Sequence, residues 1–317
     1  MIFKNRTKPL PLRKLDAAIP RLSPQFPGLP KMKEDAKKQQ QGYTGEIKVD
    51  YFIDNLAPMY SILRDVYLRV NGKNFQIDSY IKADYSIYVV DAKNYDGMII
   101  FNTLLKQLTR SDGKIESGFE YPITQVKNQT FHLQNWLSHH NFSHIPITSL
   151  VAIADPSTIV KVEGSQEEVG KYVTHAANVS DLILTRERQL ARKGAKKLPA
   201  HQIERAILHE CREFDINLFK KYGVRPTDIL PGVICRDCGL RGMKRVHSGW
   251  WCPKCRQKHY NAHLKALADY LLLVKNTINN KECMWFLALD NRGTATRILK
   301  KSGLIYDEKY KHWYKKN

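Results

Sequence analysis

The sequence lacks any hydrophobic run that approaches the roughly 18 to 20 residues needed to cross a membrane. Its basic N-terminal residues also lack the apolar stretch and the small-residue cleavage site of a secretory signal peptide. Acidic residues are few, 31 against 51 Lys and Arg, so the formal net charge is +20. These features disfavour membrane-spanning and secreted proteins, and we expect a cytoplasmic protein that does not bind membranes.

The excess positive charge lies at the two ends of the chain. Residues 1–41 contain 10 Lys and Arg against 3 acidic residues, residues 42–223 contain 22 against 21, and residues 224–317 contain 19 against 7. Phosphate groups attract such charge and release counterions, which gives affinity for nucleic acid whatever its sequence. We therefore expect nucleic acid, and DNA in the first place, as the partner. Ordinary solubility, docking on a protein partner and association of two copies of the chain are the alternatives.

The pattern of hydrophobic and turn-forming residues divides the chain into four parts. Residues 1–41 hold six prolines and are predicted to form a basic arm without a core of its own. Residues 42–223 are predicted to form an α/β domain with a helical extension, because runs of β-branched residues alternate with amphipathic helices. Residues 230–259 contain four cysteines, and residues 260–317 are predicted to form helices and a short hairpin.

Residues 75–97, FQIDSYIKADYSIYVVDAKNYDG, contain two strand-like runs with charged residues in their middles. If the runs pair as a hairpin in which paired residue numbers sum to 169, Asp78 lies opposite Asp91. Cross-strand Cβ atoms are about 4.5 to 5.5 Å apart, so the two carboxylates repel unless a cation compensates. Lys93 shares a face of its strand with Asp91. The pattern predicts a Mg²⁺ site, and a solvent-facing ion pair on an edge hairpin is the alternative.

Four motifs, GYTGE, FQIDSYI, VVDAKNYDG and YPITQVKNQ, occur in the order and approximate spacing of a known family. They resemble the NERD (nuclease-related) domain, which is similar to the PD-(D/E)XK restriction-endonuclease-like phosphodiesterases. The resemblance covers about Gly42 to Asp155, and the flanking regions look like those of the longer Bacillus-type NERD proteins with a C-terminal zinc ribbon. It implies a restriction-endonuclease-like mixed sheet flanked by helices.

The resemblance also implies roles for five residues. Asp78 and Asp91 would bind Mg²⁺ or Mn²⁺, and Lys93 would be the catalytic lysine of the D-x-K step. Glu46 would be an outer acidic group on the first helix, and Gln125 a polar residue on the following helix. The implied activity is metal-dependent hydrolysis of phosphodiester bonds. The family usually has a glutamate at the position of Asp91, which favours the alternative of an inactive nucleic-acid-binding protein or recruiting subunit.

Four of the six cysteines form two C-x-x-C pairs, Cys235 with Cys238 and Cys252 with Cys255, separated by 13 residues. Two such pairs predict the closed tetrahedral Zn²⁺ site of a zinc ribbon. Because sulfur fills all four positions, the zinc is predicted to be structural. A pair of disulfides is the alternative, which the lack of a secretory signal disfavours.

Basic and aromatic residues surround the cysteines and continue into the last helices. Residues 280–304 predict two helices joined by a turn, which with the following hairpin has the layout of a winged helix-turn-helix. Packing of a small helical cap is the alternative. Near the cysteines, cations interleaved with indoles can contact phosphates and stack on bases, or pack the ribbon on its neighbour. The residues predicted to contact nucleic acid are Arg241, Lys244, Arg245, Trp250, Arg297 and Lys300.

Overall fold

The computed structural model describes residues 1–111, 113, 115–142 and 144–315. Its strands are β1 (Ile2–Lys4), β2 (Ser61–Val70), β3 (Lys73–Lys82), β4 (Ile87–Lys93), β5 (Met98–Asn102), β6 (Gln107–Ser111), β7 (Glu116–Glu120), β8 (Ile147–Ile153), β9 (Ile159–Glu163), β10 (Val173–His175), β11 (Lys244–Val246), β12 (Gly249–Trp251), β13 (Lys258–His259), β14 (Thr277–Ile278), β15 (Ile305–Asp307) and β16 (His312–Tyr314). Its helices are α1 (Leu10–Ala18), α2 (Leu29–Ile53), α3 (Pro122–His139), α4 (Gln166–Gly170), α5 (Val179–Arg192), α6 (Gln202–Glu210), α7 (Leu218–Tyr222), α8 (Ala262–Leu273), α9 (Asn280–Leu287) and α10 (Arg292–Lys301). No helix of the described ranges combines the length and hydrophobicity that crossing a membrane requires.

The chain forms two compact units, each assembled from two segments. The first unit comprises Met1–Pro9 and Gln39–Phe214, and the second comprises Leu10–Lys38 and Asp215–Asn317. The chain passes from one unit to the other at three places, and one of them falls within α2.

Residues 1–41 do not form the predicted arm without a core. The strand β1 pairs in parallel with β2 in the first unit. In the second unit Leu12 and Leu15 are buried, and the fully buried Arg21 donates hydrogen bonds to Asp269 from Nε at 3.0 Å and Nη2 at 2.9 Å. The prediction was wrong because the apolar residues of this segment join cores that distant parts of the chain complete.

The first unit is built on a six-stranded mixed sheet. Its strand order is β1-β2-β3-β4-β8-β10. The pairs β2–β3 and β3–β4 are antiparallel, and the pairs β4–β8 and β8–β10 are parallel. A parallel pair needs a crossover connection, and α3 lies between β4 and β8 in sequence. The predicted mixed α/β class is therefore confirmed.

Successive side chains of a strand point to opposite faces of its sheet. Apolar residues of the strands therefore form a core on each face, and helices pack on both faces. Val89 of β4 packs in one core with Val126 of α3, whereas the next residue, Val90, packs in the other core. That second core contains Val49 of α2 and Ile183 of α5. The α3 face also carries a smaller sheet in the order β7-β6-β5-β9, because Ile99 belongs to the same core.

The long helix α2 approaches the end of β4 at a glycine. A Cβ atom at Gly45 would lie 2.4 Å from the Asn94 Cβ, which is closer than real Cβ contacts allow. Gln41 and Asn94 exchange hydrogen bonds there, from Gln41 Nε2 to the Asn94 carbonyl at 3.2 Å and from Asn94 Nδ2 to the Gln41 carbonyl at 2.9 Å. The glycine of the GYTGE motif therefore permits a close contact that brings Glu46 towards the sheet.

The second unit contains two three-stranded sheets and a helical layer. In sequence, β11 and β12 lie between the two cysteine pairs and β13 follows the second pair; these strands form one sheet, and strands β14-β16-β15 form the other. The elements from α8 onwards run in the order α8-β14-α9-α10-β15-β16. This order has the two adjacent helices and the terminal hairpin that the sequence predicts for residues 280–317.

Candidate functional site

The β3–β4 hairpin has the register that the sequence predicts. Ser79 pairs with Val90, so that paired residue numbers sum to 169. Asp78 and Asp91 are the next residues along the two strands in this register. Asp78 is held in place by its Oδ2 atom, which accepts a hydrogen bond of 2.9 Å from the Ala92 N–H.

Asp91 is a buried carboxylate, with only 1% of its surface exposed. Its Oδ2 atom lies 2.8 Å from Lys93 Nζ, and its Oδ1 atom accepts a hydrogen bond of 3.2 Å from Gln129 Nε2. Burial raises the pKa of Asp91 to about 6, the charge of Asp78 acts in the same direction, and Lys93 opposes both. The sequence analysis assigns no site role to Gln129. Its position one helical turn after Gln125, on the same side of α3, is the signal that could have identified it.

Lys93 is the cation of this group. Its Nζ atom donates a hydrogen bond of 2.8 Å to Gln125 Oε1, in addition to its ion pair with Asp91. Burial acts to lower the pKa of Lys93, but the carboxylates of Asp91 and Asp78 outweigh it and raise the pKa. The ammonium is therefore charged at neutral pH and is oriented by Gln125.

The donor set suits a hard divalent cation. Two carboxylates and one ammonium leave a net charge of −1, and no hydrogen bond to Asp78 Oδ1 is found among the described residues. Within those residues, groups of three or more His, Cys, Asp or Glu with ligand atoms inside 4.8 Å occur only near the cysteine pairs. Asp78 and Asp91 could supply two carboxylate ligands, and Mg²⁺ is commonly held by one or two carboxylates beside waters and substrate phosphates.

Glu46, the predicted outer acidic group, forms an ion pair with Arg6. The sequence analysis gives Arg6 no role. Arg6, from the segment after β1, contacts Glu46 Oε2 from Nη1 at 2.6 Å and Asp50 Oδ2 from Nε at 2.7 Å. It also donates from Nη2 to the Asp78 carbonyl at 2.8 Å and to Ser79 Oγ at 3.1 Å. The Arg6 side chain is 4% exposed, so these contacts replace its hydration.

The charges around Arg6 depend on one another. Burial acts to lower the pKa of Arg6, but hydrogen bonding to Asp50 and the charges of Glu46 and Asp78 raise it above its ordinary value. Burial raises the pKa of Glu46 to about 8, with a further contribution from Asp78, whereas Arg6 opposes this rise. Arg6 therefore supplies a permanent positive charge beside the carboxylates. No local sequence pattern marks it, because its partners lie at least 40 residues away.

The four predicted cysteine ligands converge. Their sulfur atoms all lie within 4.8 Å of one another, with Cys235 Sγ 3.6 Å from Cys255 Sγ and Cys238 Sγ 3.5 Å from Cys252 Sγ. A tetrahedral zinc with Zn–S bonds of about 2.3 Å requires sulfur separations of roughly 3.8 Å. The cluster therefore fits a zinc ribbon.

His259, which the sequence analysis does not assign to the zinc site, lies beside this cluster. His259 is buried, and its Nε2 atom lies 3.8 Å from Cys235 Sγ and 2.8 Å from Asp237 Oδ2. An imidazole that contacts both a sulfur ligand and a carboxylate can orient the thiolate and stabilise its charge. It follows the second cysteine pair by only four residues, a spacing that sequence inspection could have used.

The residues that are predicted to contact nucleic acid differ in their exposure to solvent. Lys244, Arg245, Arg297 and Lys300 are exposed, and Arg241 is half-buried with its Nη1 atom donating to the Pro231 carbonyl at 3.0 Å.

Trp250 is 0% exposed, and its Nε1 atom donates to His263 Nδ1 at 3.0 Å. The prediction that Trp250 stacks on bases is therefore wrong. The indole fills the core of the second unit, which was the alternative role.

Comparisons with known proteins agree with the motif-based resemblance in one region. A family model described as nuclease-related domain, NERD, matches residues 41–154. Neither the curated proteins nor the solved structures that were searched contain a match to the chain. The matched range includes the β3–β4 hairpin, α3 and β8, and it contains all five residues that the resemblance implies for the site. The family model thus matches about a third of the chain, and residues 41–154 are similar to the nuclease-related domain, NERD.

Proposed function

We propose that the first unit hydrolyses phosphodiester bonds of nucleic acid, using a divalent cation, Mg²⁺ or Mn²⁺, held by Asp78 and Asp91. The observation that supports this most directly is the group of Asp78, Asp91 and Lys93 on two adjacent strands, within a nuclease-related domain. A buried carboxylate with a raised pKa beside a second carboxylate is typical of functional sites, because burial of such charge otherwise costs stability.

When bound, the cation would polarise a phosphoryl oxygen and lower the pKa of a water molecule. The protein side chains then have separate tasks. Asp78, fixed by the Ala92 N–H, would hold the ion together with Asp91. The Lys93 ammonium, oriented by Gln125, donates a hydrogen bond to a phosphate oxygen and stabilises the negative charge that develops there.

Arg6 favours one divalent ion over two. A second ion at the outer acidic group would need Glu46 and Asp50 as ligands, but the Arg6 guanidinium already binds both. Two like charges in one buried place are unfavourable. We therefore propose that Arg6 takes the place of a second cation, and that the acids around it position Arg6 and not a metal.

Replacement of Lys93 by alanine tests the hydrolysis. We expect Lys93→Ala to lower nicking of supercoiled plasmid and cleavage of labelled single strands in Mg²⁺ or Mn²⁺ by about 10² to 10³-fold, the usual cost of losing one charge-stabilising donor. Lys73→Ala, which removes an exposed lysine from β3, is the matched control and should cut like the wild type. Calorimetric titration with Mn²⁺ should show one binding event that Asp78→Asn weakens.

A nucleic-acid-binding protein without turnover is the second candidate. The aspartate at position 91 and its 2.8 Å ion pair with Lys93 favour it, because the ammonium then neutralises the carboxylate without a metal. Equal nicking by the wild type and Lys93→Ala would indicate a contaminant and would remove the hydrolase proposal. Absence of nicking together with absence of Mn²⁺ binding would support the second candidate.

A further inference from the structure

The second unit contains a cleft of about 570 Å³ between the zinc-ribbon sheet and the helix-turn-helix. One wall is β11 with the turn that follows it, which contribute Arg245 and His247, and the other wall is α10, which contributes Arg297 and Lys301. Tyr260, at the start of the segment that leads into α8, lies at the rim and is 64% exposed. All of these residues belong to one unit.

The cleft is positively charged without compensation. Its described lining residues include Arg245, Arg297 and Lys301 but no Asp or Glu. Both guanidinium groups are oriented by neutral acceptors: Arg245 Nη1 donates to the Gly249 carbonyl at 2.9 Å, and Arg297 Nη2 donates to Thr294 Oγ1 at 3.2 Å. Partial burial lowers the pKa of Arg245, and the like charge of Arg297 lowers it further.

A cleft of this charge suits a polyanion. Each phosphate that enters it relieves repulsion between fixed cations and releases counterions, so binding is favourable for a phosphate chain of any sequence. The Arg245 guanidinium lies 5.5 Å from the centre of the buried Trp250 ring, which holds it at the surface without a carboxylate. The Arg245 and Arg297 guanidinium groups are therefore held in place before a ligand binds.

The geometry of α10 selects the kind of polyanion. Arg297, Lys300 and Lys301 follow one another at helical spacing on the exposed side, whereas Ala295 and Leu299 are buried on the other. The helix is the second of a helix-turn-helix pair, the one that such motifs place in the major groove of B-form DNA. The deep and narrow major groove of A-form RNA does not admit side chains in this way.

We propose that this cleft binds the phosphate backbone of double-stranded DNA while the exposed side of α10 faces the major groove. The proposal rests on the proposed function for nucleic acid as the substrate and adds the duplex, but binding alone tests it. A zinc ion held by the four cysteines would fix β11 and its turn, which form one wall of the cleft.

Fluorescence anisotropy with a labelled DNA duplex, the full chain and no added Mg²⁺ measures this binding. The test variant is Arg245→Ala with Arg297→Ala, and the matched control is Arg236→Ala with Lys254→Ala, which removes two exposed cations of the same unit outside the cleft. We expect the test variant to weaken duplex binding at least about tenfold. The slope of log affinity against log salt should also fall by about 2, since each phosphate contact contributes about 0.9. The control should remain near the wild type.

Three results would overturn the cleft proposal. They are equal weakening by both variants, no weakening by the test variant, and binding of single-stranded DNA or duplex RNA as tightly as the DNA duplex. If the wild type nicks plasmid in Mg²⁺ and the test variant binds normally, only the cleft proposal fails. If the test variant loses binding and no protein nicks DNA, the cleft proposal holds and the proposed hydrolysis fails.

Discussion

Replacement of Arg6 by methionine should destabilise the first unit strongly, because it leaves buried acids without their cation. Arg6 is 4% exposed and lies 2.6 Å from Glu46 and 2.7 Å from Asp50. Removing one partner of a buried ion pair costs about 3 to 5 kcal/mol. Asp50 keeps a second cation, Arg64, whose Nε atom is 3.1 Å from Asp50 Oδ1. The expected loss is therefore at the low end, about 3 kcal/mol near pH 8.

Urea-dependent hydrogen exchange of peptides from β3 and β4, read by mass spectrometry, measures this loss within the full chain. The matched control is Arg69→Met, which removes an exposed arginine from β2 and should change stability by less than about 0.5 kcal/mol. Adding Glu46→Gln to Arg6→Met should recover about 1 kcal/mol, because one acid then no longer lacks a partner.

The pH dependence of the same deficit has a definite sign. The pKa of Glu46 is raised from 4.5 to about 8, so the stability that accompanies its protonated form is present below pH 4.5 and is lost as the pH rises through about 8. Without Arg6 the pKa of Glu46 rises further. Above about pH 8 the wild type has already lost this stability, whereas Arg6→Met continues to lose it as the pH increases. The deficit of Arg6→Met should thus be larger near pH 9 than near pH 6. An equal deficit at both pH values, or one below about 0.5 kcal/mol, would refute the proposed role of Arg6.

Two further predictions concern the zinc cluster and the close contact of α2. Cys252→Ser, or a strong zinc chelator, should release one zinc per chain in elemental analysis and raise hydrogen exchange in β11 and β12, because the metal folds this small sheet; retained zinc and protection would contradict the four-sulfur site. Gly45→Ala should cost about 1 to 3 kcal/mol in urea unfolding, since its Cβ atom would lie 2.4 Å from Asn94 Cβ. Gly42→Ala, on the same helix with open space around it, should instead stabilise by about 0.5 to 1 kcal/mol, and equal effects of the two changes would exclude a steric cause.

Features that depend on short-range spacing were predictable from the residues. Strand side chains alternate with a period of two, so the two runs around Asp78 and Asp91 had one register that put both acids together, and the hairpin has that register. Two C-x-x-C pairs predicted four converging sulfur atoms because each pair presents both thiolates from one turn. The α/β class followed in the same way, from the alternation of strand and helix patterns.

Features that depend on the meeting of distant segments were not predictable in this way. Trp250 looked like a stacking residue among cations, but the core of the second unit buries it, and burial depends on every segment that packs around a residue.

The amino-acid order alone thus specified the acidic hairpin, the cysteine cluster and the basic ends, since the two sites depend on residues at most 20 positions apart and the charge of the ends on composition. Only the tertiary structure brought Arg6 to acids at least 40 residues away and set Arg245 and Arg297 on opposite walls of one cleft. Such pairings depend on which surfaces bury the most apolar area together, and that is a property of the whole chain.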